Sequence, residues 1–70
     1  MEQLTKQEKL QKLIRAIKGD YFGDFSTVEQ TGTIYEITIE GERYRTTANQ
    51  LLKDFDTLDE EVKEDIIINY

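Results

Sequence analysis

The side chains able to do chemistry in this 70-residue chain are almost all carboxylates. Residues 54 to 65 carry seven of them, Asp54, Asp56, Asp59, Glu60, Glu61, Glu64 and Asp65, against one cation, Lys63. There is no His and no Cys, and Ser26 is the only serine. Without imidazole no side chain has an ordinary pKa near neutrality, and Ser26 has no base to activate it. A carboxylate pair does acid–base work only after burial has shifted its pKa values far apart. A domain this small has little interior for that. The chain is therefore expected to be no enzyme, to use no cofactor and to act by binding.

Metal chemistry is a weak alternative. Lack of Cys and His removes the zinc sites built from them. Asp54, Asp56 and Asp65 fall at positions 1, 3 and 12 of a calcium loop, but Leu58 stands where an oxygen ligand belongs and Asp59 where the turn needs glycine. No metal site is expected.

Charge is distributed unevenly. Residues 1 to 18 hold Lys6, Lys9, Lys12, Arg15 and Lys18 against Glu2 and Glu8, a net of +3, whereas the whole chain is −6. The remaining residues thus carry −9. Phosphate binding needs several cations on one surface, so direct contact with nucleic acid is not expected. A clustered negative field instead suits a basic protein partner, whose association it speeds. Within the acidic segment Glu60, Glu61 and Glu64 gather opposite an apolar face. Asp59 and Glu60 suit the positive end of a helix dipole, but Glu64 and Asp65 lie too far in for that. The bland alternative is a solubilising face. Asp59–Lys63 is the only favourable i, i+4 pair in the segment.

Two shorter stretches are further candidates. Gly19 to Asp24 places Tyr21 and Phe22 between glycines and acids, as a loop covering the core or as an aromatic anchor for a partner. Glu40-Gly41-Glu42 puts two acids at a hairpin turn.

Elements that would position these groups are legible from periodicity. Leu10, Leu13, Ile14 and Ile17 keep helical spacing. Thr5 with Glu8 is a capping-box pair, and Gly19 is suited to positive φ at the helix end. The cations of this helix read as a solvated face. Thr33 to Ile39 alternates as a strand with Tyr35, Ile37 and Ile39 on one side. Glu40-Gly41 fits a two-residue turn that sets Ile37 opposite Tyr44 and Glu36 opposite Arg45. A two-residue Thr31-Gly32 turn points Val28 inward and Phe25 outward, a three-residue loop does the reverse, and a bulge could bury both. A second helix starts near Thr47 with Gln50 completing a capping box, and buries Ala48, Leu51, Leu52 and Phe55. A third starts near Asp56 or Thr57, with Thr57 and Glu60 repeating the capping pattern, and buries Leu58, Val62 and Ile66. Ile66-Ile67-Ile68 could be helix, strand or tail. The fold expected is a single α+β domain spanning 1 to 70, in the order α-β-β-β-α-α, with helices on one face of a three-stranded antiparallel sheet.

Leu13-Ile14-Arg15, Ile17-Lys18 and Asp20-Tyr21 resemble the first helix and its exit in small phage-encoded anti-CRISPR proteins that inhibit the type II RNA-guided nuclease. The element order and the acidity are similar too. The resemblance implies a DNA mimic whose carboxylates occupy the cleft that reads the PAM duplex. It implies a partner-binding role for Asp20 by residue match. By topology it implies the same for Glu40 and Glu42 at the second hairpin and for Asp54, Asp56 and Asp59 between the last helices. Glu60, Glu61 and Glu64 join them from the charge pattern. The family's second hairpin turn is longer and rich in Asn and Asp, whereas the turn here is tight. The function expected is inhibition of a basic nucleic-acid enzyme in the cytoplasm of a bacterial host, as a monomer or weak dimer. The alternative is an adaptor that binds through Tyr21, Phe22, Tyr70 and an exposed strand edge. No run approaches the roughly 20 apolar residues of a membrane span, so no membrane partner is expected.

Overall fold

The structure, a computed structural model, describes residues 4–70. Helix α1 runs Lys6–Lys18. Its start is the capping box expected from the sequence. Glu8 N–H donates to Thr5 Oγ1 at 3.2 Å, and Thr5 N–H donates to Glu8 Oε1 at 3.1 Å. The two Thr5 hydrogen bonds hold the Glu8 carboxyl below its ordinary pKa, with Lys12 adding a smaller pull. The helix exit differs from expectation. Gly19 has φ −86°, and the positive φ falls on Asp20 at 61°. Glycine is needed at 19 for space, since a Cβ there would stand 2.8 Å from the Tyr70 ring.

Strands β1 (Thr27–Thr31), β2 (Ile34–Ile39) and β3 (Glu42–Thr47) form an antiparallel meander with β2 in the centre. Ile37 pairs with Tyr44 and Glu36 with Arg45, the register set by the Glu40-Gly41 turn. Both turn residues have positive φ, 52° and 88°, the signature of type I′. The first turn sits one residue later than the two-residue alternative, on Gly32-Thr33 between Thr31 and Ile34. That shift moves each β1 partner by two, so parity is kept: Val28 faces in, and Phe25 just before the strand is 86% exposed. On the outer face Glu36 lies in ion-pair range of both Arg43 (3.9 Å) and Arg45 (3.8 Å). Those arginines are local partners of the sheet, as their register implies.

Thr47 ends β3 and caps α2 (Ala48–Asp56), its Oγ1 accepting from Gln50 N–H. The Gln50 side chain does not close the box; it reaches forward to Asp54 Oδ1 at 3.0 Å. Helix α3 is Glu60–Asn69 with Asp59 at its N-cap, three residues after the start expected at Thr57. Thr57 is consumed by the preceding helix. It is the C-cap of α2, and its hydroxyl donates to Asp54 O at 2.7 Å. With Asp59 extended rather than helical, the expected Asp59–Lys63 pair does not form, and Lys63 pairs with Glu60 at 3.5 Å. Ile66, Ile67 and Ile68 are helical. One cluster of Leu13, Ala16, Ile17, Tyr35, Ile37, Leu51, Phe55 and Ile66 forms the core.

Helix α3 has no basic residue in its last turn, although its C-terminal carbonyls are the negative end of the helix dipole. Helix α1 supplies the cations. Lys12 Nζ donates to Ile67 O at 2.8 Å, and Arg15 Nη1 donates to Tyr70 O at 3.1 Å. Two of the residues expected on a solvated face thus fasten α3 to α1. Tyr21 adds to the joint, donating to Asp65 Oδ2 at 3.2 Å and meeting the Tyr70 ring edge-on at 5.9 Å. Replacing Lys12 by Met keeps the stem and removes the donor. It is expected to cost about 1–2 kcal/mol, measured as a lower urea midpoint with unchanged slope.

Candidate partner-binding surface

All nine carboxylates singled out from the sequence, Asp20, Glu40, Glu42, Asp54, Asp56, Asp59, Glu60, Glu61 and Glu64, are exposed. Among the described residues only two carboxylates of the chain, Glu36 and Glu60, are in ion pairs. Asp56, Asp59, Glu61 and Glu64 accept no side-chain hydrogen bond from any described residue. Their charge is left to solvent or to a partner.

The fold brings some of these acids together. Glu40 N–H donates to Asp24 O at 3.1 Å, which ties the hairpin tip to the loop after α1. Gly23 permits that approach, since a Cβ on it would lie 2.5 Å from Ile39 Cγ2 and 3.0 Å from Glu40 Cγ. Glu42 shares the inner face of the sheet with Tyr44, whose hydroxyl donates to Glu42 Oε2 at 2.7 Å. That hydrogen bond, with the Glu42 charge and a smaller pull from Glu40, raises the Tyr44 hydroxyl above its ordinary pKa. Asp24, Glu40 and Glu42 therefore gather at one end of the sheet. Asp54 lies across from β3 on α2. Asp56 and Asp59 flank the link to α3, and Glu60, Glu61 and Glu64 lie on α3 itself. Asp20 has a structural task as well: its Oδ1 accepts from the N–H of buried Ser26 at 3.0 Å.

Glu40 breaks a local rule. The first position of a type I′ turn favours Asn, Asp or Gly, because φ is positive there, and Glu40 holds φ 52°. Glu40→Asn is expected to raise stability by about 0.5–1 kcal/mol, read as a higher thermal midpoint.

A groove of about 400 Å³ opens beside this cluster. Phe22, Ile39, Tyr44 and Thr46 line one side, and Leu51, Asp54 and Leu58 the other. Helix α2 follows β3 with no linker, Thr47 ending the one and capping the other. Tyr44 is left 50% exposed. The Oγ1 of Thr46, on the same face, is buried without a hydrogen-bond partner among the described residues. Of the aromatics considered as anchors, Tyr21 and Tyr70 pack on the core, and Phe22 lines the groove. The groove has no local sequence signal. Alternation assigns Tyr44 to the inner face but does not reveal that α2 stops short of it.

Among the described residues, no group of three or more His, Cys, Asp or Glu side chains could hold a metal ion. None of their helices is long and apolar enough to cross a membrane. Comparison with protein-family models, curated proteins and solved structures returns no match. The α+β class and the α-β-β-β-α-α order thus stand on the structure itself.

Proposed function

We propose that this chain is a non-catalytic inhibitor that occupies the nucleic-acid site of a basic enzyme, its carboxylates standing in for phosphates. The proposed target is a type II RNA-guided nuclease, as for the anti-CRISPR proteins that residues 13 to 21 resemble, and the place of action is the cytoplasm of a bacterial host. One observation carries the reading: nine exposed carboxylates, of which Glu60 alone is in an ion pair among the described residues. Side chains that served internal stability would be expected to find cations. Four of the nine cations go elsewhere. Lys12 and Arg15 donate to the carbonyls at the end of α3, and Arg43 and Arg45 pair with Glu36. The same diversion weakens the case for the chain itself binding phosphates.

The test is displacement of a fluorescent PAM-containing duplex from a panel of guide-loaded type II nucleases, followed by anisotropy. Displacement from at least one member at near-stoichiometric inhibitor is expected. Unchanged duplex binding by every member would overturn the assignment of the target.

A further inference from the structure

We propose that the groove between β3 and α2 receives an apolar side chain carried on a cationic segment of a partner protein. The inference rests on the preceding reading only for the sign of the partner's charge. Two observations lead to it. The groove floor is apolar, built from Leu13, Ile17, Ile37 and Phe55, and two acids stand at its margin, Asp54 in the lining and Glu42 beside Tyr44. Asp54 lines one side, and on the other Tyr44 carries Glu42 on its hydroxyl with Glu40 close enough to act on it. Arg45, the cation at the groove, is engaged by Glu36. An apolar anchor flanked by Lys or Arg matches both features, whereas an anionic or purely apolar occupant leaves the margin unmatched.

The second observation is Thr46. Its Oγ1 is removed from water without a partner, a costly state for a hydroxyl. Thr46 lines the groove, where a bound segment would bring the backbone N–H donor that this oxygen lacks.

The experiment is an NMR titration of the full chain at low salt with acetyl-Lys-Phe-Lys-amide. Saturable shifts are expected at Ile39, Thr46, Leu51 and Leu58, with a dissociation constant of about 1 mM. Acetyl-Lys-Ser-Lys-amide should bind about tenfold more weakly, from lost apolar burial. Acetyl-Gln-Phe-Gln-amide should bind about threefold more weakly, from lost charge pairing. The Glu42→Gln, Asp54→Asn double variant should erase the difference between the Lys and Gln peptides while leaving the spectrum of the free protein folded. Equal affinity for those two peptides in the unaltered chain would overturn the proposal. So would shifts centred on exposed Phe25 or Ile68, an absence of saturation, or groove signals that depend on protein concentration alone and so indicate a second copy. Glu61→Lys with Glu64→Lys, outside the groove, should leave peptide binding intact. Loss of nuclease inhibition in that variant, or its absence in the unaltered chain, therefore reports on the acidic-surface reading and not on the groove.

Discussion

Reversing Glu60, Glu61 and Glu64 to lysine is expected to abolish displacement of duplex DNA from the target nuclease, with an affinity loss of at least about 100-fold. Each reversal adds two charges, so the net charge moves from −6 to zero. None of the three side chains touches the core: all are exposed, and Glu60 alone makes an ion pair, with Lys63 at 3.5 Å. An exposed pair of this kind is worth about 0–1 kcal/mol. Lysines at 60 and 61 would oppose the helix dipole by about 0.3–1 kcal/mol each, and like charge would persist between positions 60 and 64, while the Glu61–Asp65 repulsion would become an attraction and return part of that. The variant should therefore remain folded by circular dichroism. A neutral Gln version of the same three positions should fall between the two in binding. Full inhibition by the folded lysine variant would assign these acids to solubility.

The second large effect concerns the core. Phe55→Ala is expected to leave the chain largely unfolded at 25 °C. Phe55 is 2% exposed and lies where α1, α2 and the sheet meet, against Leu13, Ile17, Ile37 and Leu51. Truncating a buried Phe costs about 3–5 kcal/mol, which matches the whole stability expected of a domain this short without staples, about 3–5 kcal/mol. Circular dichroism and one-dimensional NMR would show the loss directly. A cooperative melt at an unchanged midpoint would mean that the core is organised around other residues. Phe55→Leu, which keeps most of the volume, should retain the fold.

Much of the architecture was legible locally. The Thr5–Glu8 box, the 3.6-residue spacing of Leu10, Leu13, Ile14 and Ile17, and the Glu40-Gly41 turn each act within a few residues. The turn alone set the pairing of Glu36 with Arg45. Reading failed where two elements compete for one residue or where the signal is non-local. Thr57 has the spacing to cap α3, but its hydroxyl is taken by Asp54 O, so α3 starts at Glu60. Gly19 looked like the positive-φ residue of the α1 exit, but that φ sits on Asp20, and Gly19 makes room for Tyr70. Lys12 and Arg15 read as solvent-facing because the carbonyls they satisfy are 55 residues away. For the candidate surface, composition and spacing identified acids that the fold leaves exposed, together with the Glu40–Glu42 pair at the hairpin. The groove between β3 and α2 escaped notice because it depends on how far one helix extends over a strand. Phase and periodicity do not encode that distance.

The central claim is that these carboxylates act as a phosphate surrogate, and its most direct measurement is the salt dependence of affinity for the target nuclease. Calorimetry or anisotropy from low to half-molar salt is expected to show affinity falling steeply, as it does when counterions are exchanged between polyanion and basic cleft. An affinity that stays flat across that range would contradict the account.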